Sequence, residues 1–236
     1  MKIGDLTITT LIFDVLGTVV DDAGSFARDC ELVARESGLP SVRAEQLQRS
    51  WLETYDRIFD PVQRGLVPWR SQDSMMAQAL AESVRVHDIS LPEEAITRLS
   101  SVGHRYRPWP DAVEALQRLS EYFPLVALSN GNLSLLVDLS RSAGLPWDCV
   151  LSGQMVRAYK PNPDVYAMAI ELLDLDPARS MMVAAHPWDL RGAAAAGLRT
   201  AYVARAGEGS LEPGDRFDLY ADDLADLATK LIGFAS

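Results

Sequence analysis

From residue 111 to residue 203 the chain alternates between helical stretches and short apolar runs, and no other feature restricts its fold so tightly. Helical spacing covers 111–122, 132–143, 164–173 and 189–196, with Gly144 and Gly197 placed to end the second and fourth. The runs 124–129, 149–151, 181–185 and 200–203 are too short for helices and read as buried strands. Strands separated by helices pair in parallel through right-handed crossovers, which gives a doubly wound, Rossmann-like α/β sheet between two helical layers. The run Ala193-Ala194-Ala195-Ala196 fits a helix lying close against that sheet.

An earlier apolar run, 11–13, supplies a further strand. After it, residues 24–103 carry no strand pattern. Helices are expected over 25–37, ended by Gly38-Leu39-Pro40, and over 44–58, 71–86 and 92–102. The segment 59–70 holds Pro61, Gly65 and Pro68 and reads as a connection. The expected organisation is a core domain of residues 1–22 and 104–236, interrupted by an all-helical cap domain, 23–103, set as a lid over the strand ends. There is no internal repeat and no low-complexity segment.

The 236 residues, 48% hydrophobic, suffice for a full-sized core. A net charge of −11 argues against nucleic acid or an anionic membrane surface as partner. It would also repel a small anionic substrate unless a local cation compensates. The two cysteines, Cys30 and Cys149, read as reduced core thiols of a cytoplasmic protein. The opening Met1-Lys2-Ile3-Gly4-Asp5 lacks a signal-peptide pattern, and no apolar run approaches the ~18 residues of a spanning helix.

Each core strand runs into polar residues where an open α/β sheet forms its cleft. The first runs into Asp14, and the second into Ser129-Asn130-Gly131. Lys160-Pro161 introduces the helix bearing Tyr166, and the strand 181–185 runs into His186-Pro187-Trp188-Asp189. Each has a bland reading alone: Asp14 as a turn cap, Ser-Asn-Gly as an ordinary strand-to-helix turn, Lys160 as solvated. Gathered at the carboxyl edges of one sheet, they point to a site.

In order and spacing these residues resemble the four motifs of the haloacid dehalogenase (HAD) superfamily. Asp14-x-x-Gly17-Thr18 is similar to the first, Ser129-Asn130-Gly131 to the second, Lys160-Pro161 to the third and Asp189 to the fourth. Phosphatases of that superfamily carry a second Asp where Leu16 stands and a magnesium-binding acid where Ala185 stands. Leu16 cannot give a proton to a leaving alcohol. A phosphoryl transfer without charge neutralisation would forfeit its main stabilisation.

The nearer resemblance is to the type II 2-haloacid dehalogenases, and it implies attack on carbon with neither metal nor cofactor. Asp14 would displace a leaving group from the α-carbon of a small carboxylic acid and become an ester, which water then cleaves at the Asp14 carbonyl. The implied activity is that of an (S)-2-haloacid dehalogenase acting as a homodimer. Lys160 would keep Asp14 and Asp189 ionised side by side. Thr18 would fix the nucleophile or stabilise the oxyanion. Ser129 would bind the substrate carboxylate and Asn130 would face the leaving group. Asp189, helped by His186, would orient or deprotonate the water; the bland alternative for His186 is a ring capped by nearby backbone. Val15, Leu16, Trp51, Leu52, Tyr55, Tyr166 and Trp188 are the candidates for lining the substrate. His87 and His104 read as surface residues without a role.

The resemblance also breaks in places. The family commonly has Asn where His186 stands and Ser where Ala184 stands. Its halide-binding cap arginine, aligned through Trp51, falls on Leu52, which leaves Arg49 as the nearby cation. Without an arginine the leaving group could instead be a strained ring amine, as in a ring-opening hydrolase of a cyclic amino acid such as azetidine-2-carboxylate. A metal-dependent phosphatase and a catalytically idle scaffold are the remaining readings.

Overall fold

The computed structural model describes residues 2–3 and 6–233; Met1, Gly4 and Asp5, part of the N-terminal stretch read above, lie outside the described residues. The chain divides into two compact units, Met1–Asp21 with Arg107–Ser236, and Asp22–Tyr106.

In the first unit, β1 (Lys2–Ile3) and β2 (Leu6–Thr7) form a short antiparallel ribbon ahead of β3 (Thr10–Phe13). A second ribbon pairs β4 (Val20–Asp21) with β5 (Arg107–Pro108). The chain then winds through α5 (Ala112–Ser120), β6 (Leu125–Ser129), α6 (Leu133–Ala143) and β7 (Cys149–Ser152). It continues through α7 (Pro163–Leu172), β8 (Ser180–Ala184), α8 (Pro187–Ala195), β9 (Arg199–Val203), β10 (Leu219–Ala221) and α9 (Leu224–Gly233). Six strands pair in parallel in the order β10-β9-β8-β3-β6-β7. Strand β3 sits inside the sheet, so helices cover both its faces. Leu11, Ile12 and Phe13 are accordingly all fully buried, as continuous apolar runs in parallel sheets are. The doubly wound α/β core expected from the alternation is therefore present.

The short ribbon strands β1, β2, β4 and β5, strand β10 and helix α9 escaped the sequence reading. Strand β10 has only three residues and lies at the sheet edge. Helix α9 was legible: Leu224, Leu227, Ala228 and Leu231 follow helical spacing, and all are buried.

The second unit holds α1 (Asp22–Glu36), α2 (Ser41–Gln63), α3 (Gln72–Val86) and α4 (Glu93–Ser100), followed by a single 3₁₀ turn, Val102–Arg105. Among its described residues there is no strand. Helix α2 runs five residues beyond the expected end and includes Pro61. A proline near the last turn forfeits one backbone bond, and burial of Ile58 and Val62 on one face holds the extension. Trp51 is the centre of this unit: it packs on Phe26 at 4.8 Å, and its indole N–H donates to the Met76 carbonyl at 2.8 Å. No helix of the described residues is long and apolar enough to cross a membrane.

Candidate active site

Parallel pairing places the ends of β3, β6 and β8 side by side, with Phe13 opposite both Ala127 and Val183. Asp14 extends the ladder by one bond, its N–H donating to the Val183 carbonyl at 3.0 Å. The chain then turns sharply. The Val15 carbonyl accepts from the N–H groups of Val19 and Val20, and Gly17 takes φ +77°, a conformation that side chains resist. The turn brings Thr18 back under Asp14. Its hydroxyl donates to Asp14 Oδ2 at 2.8 Å and accepts from the Ala185 N–H at 2.9 Å.

Lys160 is fully buried and uses all three of its protons. Nζ donates to Asp14 Oδ1 at 2.8 Å, to Asp189 Oδ2 at 2.5 Å and to the Leu128 carbonyl at 3.0 Å. Its backbone is clamped by Asn130, whose Oδ1 accepts from the Lys160 N–H at 2.7 Å while Nδ2 donates to the Lys160 carbonyl at 3.4 Å. The second and third strand-end stretches are thus joined through one amide. Asp189, wholly buried in the first turn of α8, accepts from the Tyr166 hydroxyl at 2.6 Å on Oδ1.

His186 sits between two carboxylates, with Nδ1 at 2.8 Å from Asp14 Oδ2 and Nε2 at 3.0 Å from Glu208 Oε2. Carboxylates only accept, so a ring bonded at both nitrogens to two of them carries both protons. Burial alone would lower its pKa. The hydrogen bonds to Asp14 and Glu208, and then their charges, instead raise it to about 10. Burial would likewise raise the Asp14 pKa, but the Lys160 ammonium, and after it His186, hold it far below the ordinary carboxylate range. Lys160 is pushed down by burial and pulled up more strongly by Asp14 and Asp189. Asp189 is raised, chiefly by burial, with Lys160 opposing and the Asp14 charge adding to the rise.

The structure therefore brings Asp14, Thr18, Asn130, Lys160, Tyr166, His186 and Asp189 into one hydrogen-bonded network. Several residues stand differently from expectation. Asn130, expected to face a leaving group, has its amide engaged on Lys160. Ser129, expected on the substrate carboxylate, is fully buried with Oγ accepting from the Gly131 N–H at 3.1 Å. Tyr166 and Trp51, expected at the substrate, have no exposed surface: one hydroxyl serves Asp189, and the other ring fills the core of the helical unit. Val15 is buried and Leu16 half-buried in the turn, and the Trp188 ring lies 5.3 Å from the His186 ring. On α2, Tyr55 stacks on Phe59, while Leu52 and Arg49 are exposed.

Glu208 was missed. It follows β9 in the stretch Gly207-Glu208-Gly209, so it too stands just past the carboxyl end of a core strand, and that position was the available signal. Arg205, three residues earlier, was missed as well. Its Nε donates to the Thr18 carbonyl at 3.0 Å, and Nη1 pairs with Asp111 at 2.9 Å.

A family model described as haloacid dehalogenase-like hydrolase matches residues 8–197, from the strand before Asp14 to the glycine that ends α8. The chain belongs to this family. Among curated relatives, the (S)-2-haloacid dehalogenase 4A of Burkholderia cepacia is 28% identical over 206 residues, covering 85% of each chain. The (S)-2-haloacid dehalogenase 1 of a Pseudomonas species is 30% identical over 205 residues, covering 84% of this chain and 85% of the relative. Among solved structures, the L-2-haloacid dehalogenase PA0810 superposes with a TM-score of 0.86 at 38% identity, covering 96% of this chain and 99% of the other. The defluorinating L-2-haloacid dehalogenase Rha0230 gives 0.85 at 31% identity, covering 95% of both.

Proposed function

We propose that this protein is a hydrolase of the (S)-2-haloacid dehalogenase type, acting without a metal ion through an ester on Asp14. One observation carries the reading: the Asp14 carboxylate is held ionised by Lys160, Thr18 and His186, with apolar Leu16 where a phosphatase would place its general acid. The named similarity of its relatives to 2-haloacid dehalogenases supports the substrate class and does not favour the ring-opening, phosphatase or scaffold readings.

The donor set does not suit the magnesium ion of the phosphatases. A cation between Asp14 and Asp189 would have to share its place with the Lys160 ammonium, and Ala185 offers no third acid.

Asp14 attacks the α-carbon of a 2-haloacid in line with the carbon–halogen bond. The bonding pair leaves with the halide, and the carbon inverts as it becomes bonded to an Asp14 oxygen. A fixed carboxylate replaces weakly nucleophilic water, which is the gain of the covalent route. Water then attacks the Asp14 carbonyl carbon and releases the 2-hydroxy acid. Lys160 compensates charge throughout, with Tyr166 and Asn130 holding Asp189 and Lys160 in place. We further propose that the protein works in the cytoplasm as a homodimer, which sedimentation of the purified protein would check.

The test is halide release from (S)-2-chloropropionate with and without a strong chelator. Equal release in both supports the reading. Chelator-sensitive cleavage of an aryl phosphate, or opening of a cyclic amino acid without halide release, would overturn it.

A further inference from the structure

We propose that His186 and Glu208 form a charged oxyanion donor for the ester-cleaving half of the reaction, and that Oδ1 of Asp14 is the oxygen that attacks substrate. This deepens the ester reading above and rests on it. Among the described residues, Asp14 Oδ2 receives two donors, Thr18 Oγ1 and His186 Nδ1, both at 2.8 Å. A carboxylate oxygen has two in-plane lone pairs, so Oδ2 is saturated. Oδ1 receives only Lys160 Nζ and keeps one lone pair for carbon. Alkylation at Oδ1 leaves Oδ2 as the ester carbonyl oxygen, already facing two fixed donors.

When water adds to the Asp14 carbonyl carbon, the C=O pair moves onto Oδ2. The new charge grows against the Thr18 hydroxyl and the His186 imidazolium. The proton from the water passes to the Asp189 carboxylate. Collapse restores the Oδ2 carbonyl, breaks the bond from the carbonyl carbon to Oδ1, and expels the alkoxide. That alkoxide takes the proton from Asp189, and the new carboxylic acid gives its own proton to solvent. The sum is haloacid plus water to hydroxy acid, halide and one proton.

Glu208 is a positioning residue in this scheme, and the chemistry explains its presence. In the resting enzyme Asp14 and Glu208 both support the imidazolium. Once Asp14 is an ester its charge is gone, and Glu208 is the remaining anion on the ring. The neighbouring Lys160 and Arg205 are cations, with Lys160 bonded to Asp14 and Arg205 to Thr18 and Asp111, so neither can balance the charge of the ring. The pair is also packed to fit: a Cβ at Gly17 would lie 2.8 Å from His186 Cε1 and 2.9 Å from the Glu208 carboxyl.

Rapid-quench halide release from (S)-2-chloropropionate, with mass analysis of the peptide holding Asp14, separates the two half-reactions in the full-length enzyme. His186→Ala is expected to keep a burst of one halide per site, while steady turnover falls ~10²–10³-fold, the usual loss for one oxyanion donor. The alkylated peptide accumulates, and a structure of that trapped ester shows the alkyl oxygen beside Lys160. In Glu208→Gln the ring loses its proton more readily, so ester cleavage declines from a lower pH than in wild type. This isosteric variant carries the test if His186→Ala does not fold. A burst slowed in step with turnover and no trapped ester, or an unshifted Glu208→Gln profile, overturns the proposal. Absence of any halide from wild type would instead overturn the ester reading beneath it.

Discussion

Removing the Lys160 ammonium tests the electrostatics on which the site depends. Asp14 Oδ1 and Asp189 Oδ2 accept from the same Nζ at 2.8 and 2.5 Å. The two oxygens therefore lie within roughly 5 Å of each other, where repulsion at an effective dielectric of ~20 is about 3 kcal/mol, or about two pKa units. In Lys160→Met that repulsion acts together with burial, which already pushes both carboxyls upward. One of the pair then holds a proton through neutral pH. Each unit by which the Asp14 pKa then exceeds the working pH costs roughly tenfold in ionised nucleophile, so halide release in a single turnover should fall near neutrality by that factor per unit. It should recover as pH is raised. Loss of the cation from a buried network should also cost ~3–5 kcal/mol of stability, read by denaturant melts so that rates are taken on folded protein. A folded Lys160→Met variant with wild-type single-turnover rates across the neutral range would refute the reasoning.

Three further outcomes follow from the same geometry. The His186 pKa is raised from 6.5 to about 10, so its contribution to stability is complete below 6.5 and is lost as pH rises through about 10. Thermal melts should show that decline in wild type and a flatter profile in His186→Asn. Gly17→Ala combines a strained φ of +77° with contacts that displace His186 and Glu208; it should cost ~1–3 kcal/mol by denaturant titration and depress turnover. Trp51→Ala removes the centre of the helical unit and should destabilise by ~3–5 kcal/mol, whereas a residue that merely lined a substrate would cost little stability and mainly raise KM.

Much of the candidate site could be read before any coordinates. Strand periodicity and crossover handedness fix where parallel strands end, and polar residues at those ends had to share one edge, so Asp14, Lys160 and Asp189 could be grouped from position alone. What the sequence could not supply was the choice of partner within that edge. Glu208 carries no motif, and only the closing of the loop after β9 sets it 3.0 Å from His186. The amide of Asn130 was free to face a ligand or to clamp Lys160, and the backbone path between them chose the clamp.

By itself the sequence determined the α/β class, the helical insertion and the place of Asp14 at the end of a buried strand, because hydrophobic period and residue type act locally and survive without coordinates. Only the tertiary structure decided which face Trp51 and Tyr166 present, which Asp14 oxygen remains open, and which acid holds the histidine. Those depend on distances of about 3 Å between segments far apart in the chain, and hydrogen bonding is decided at that scale.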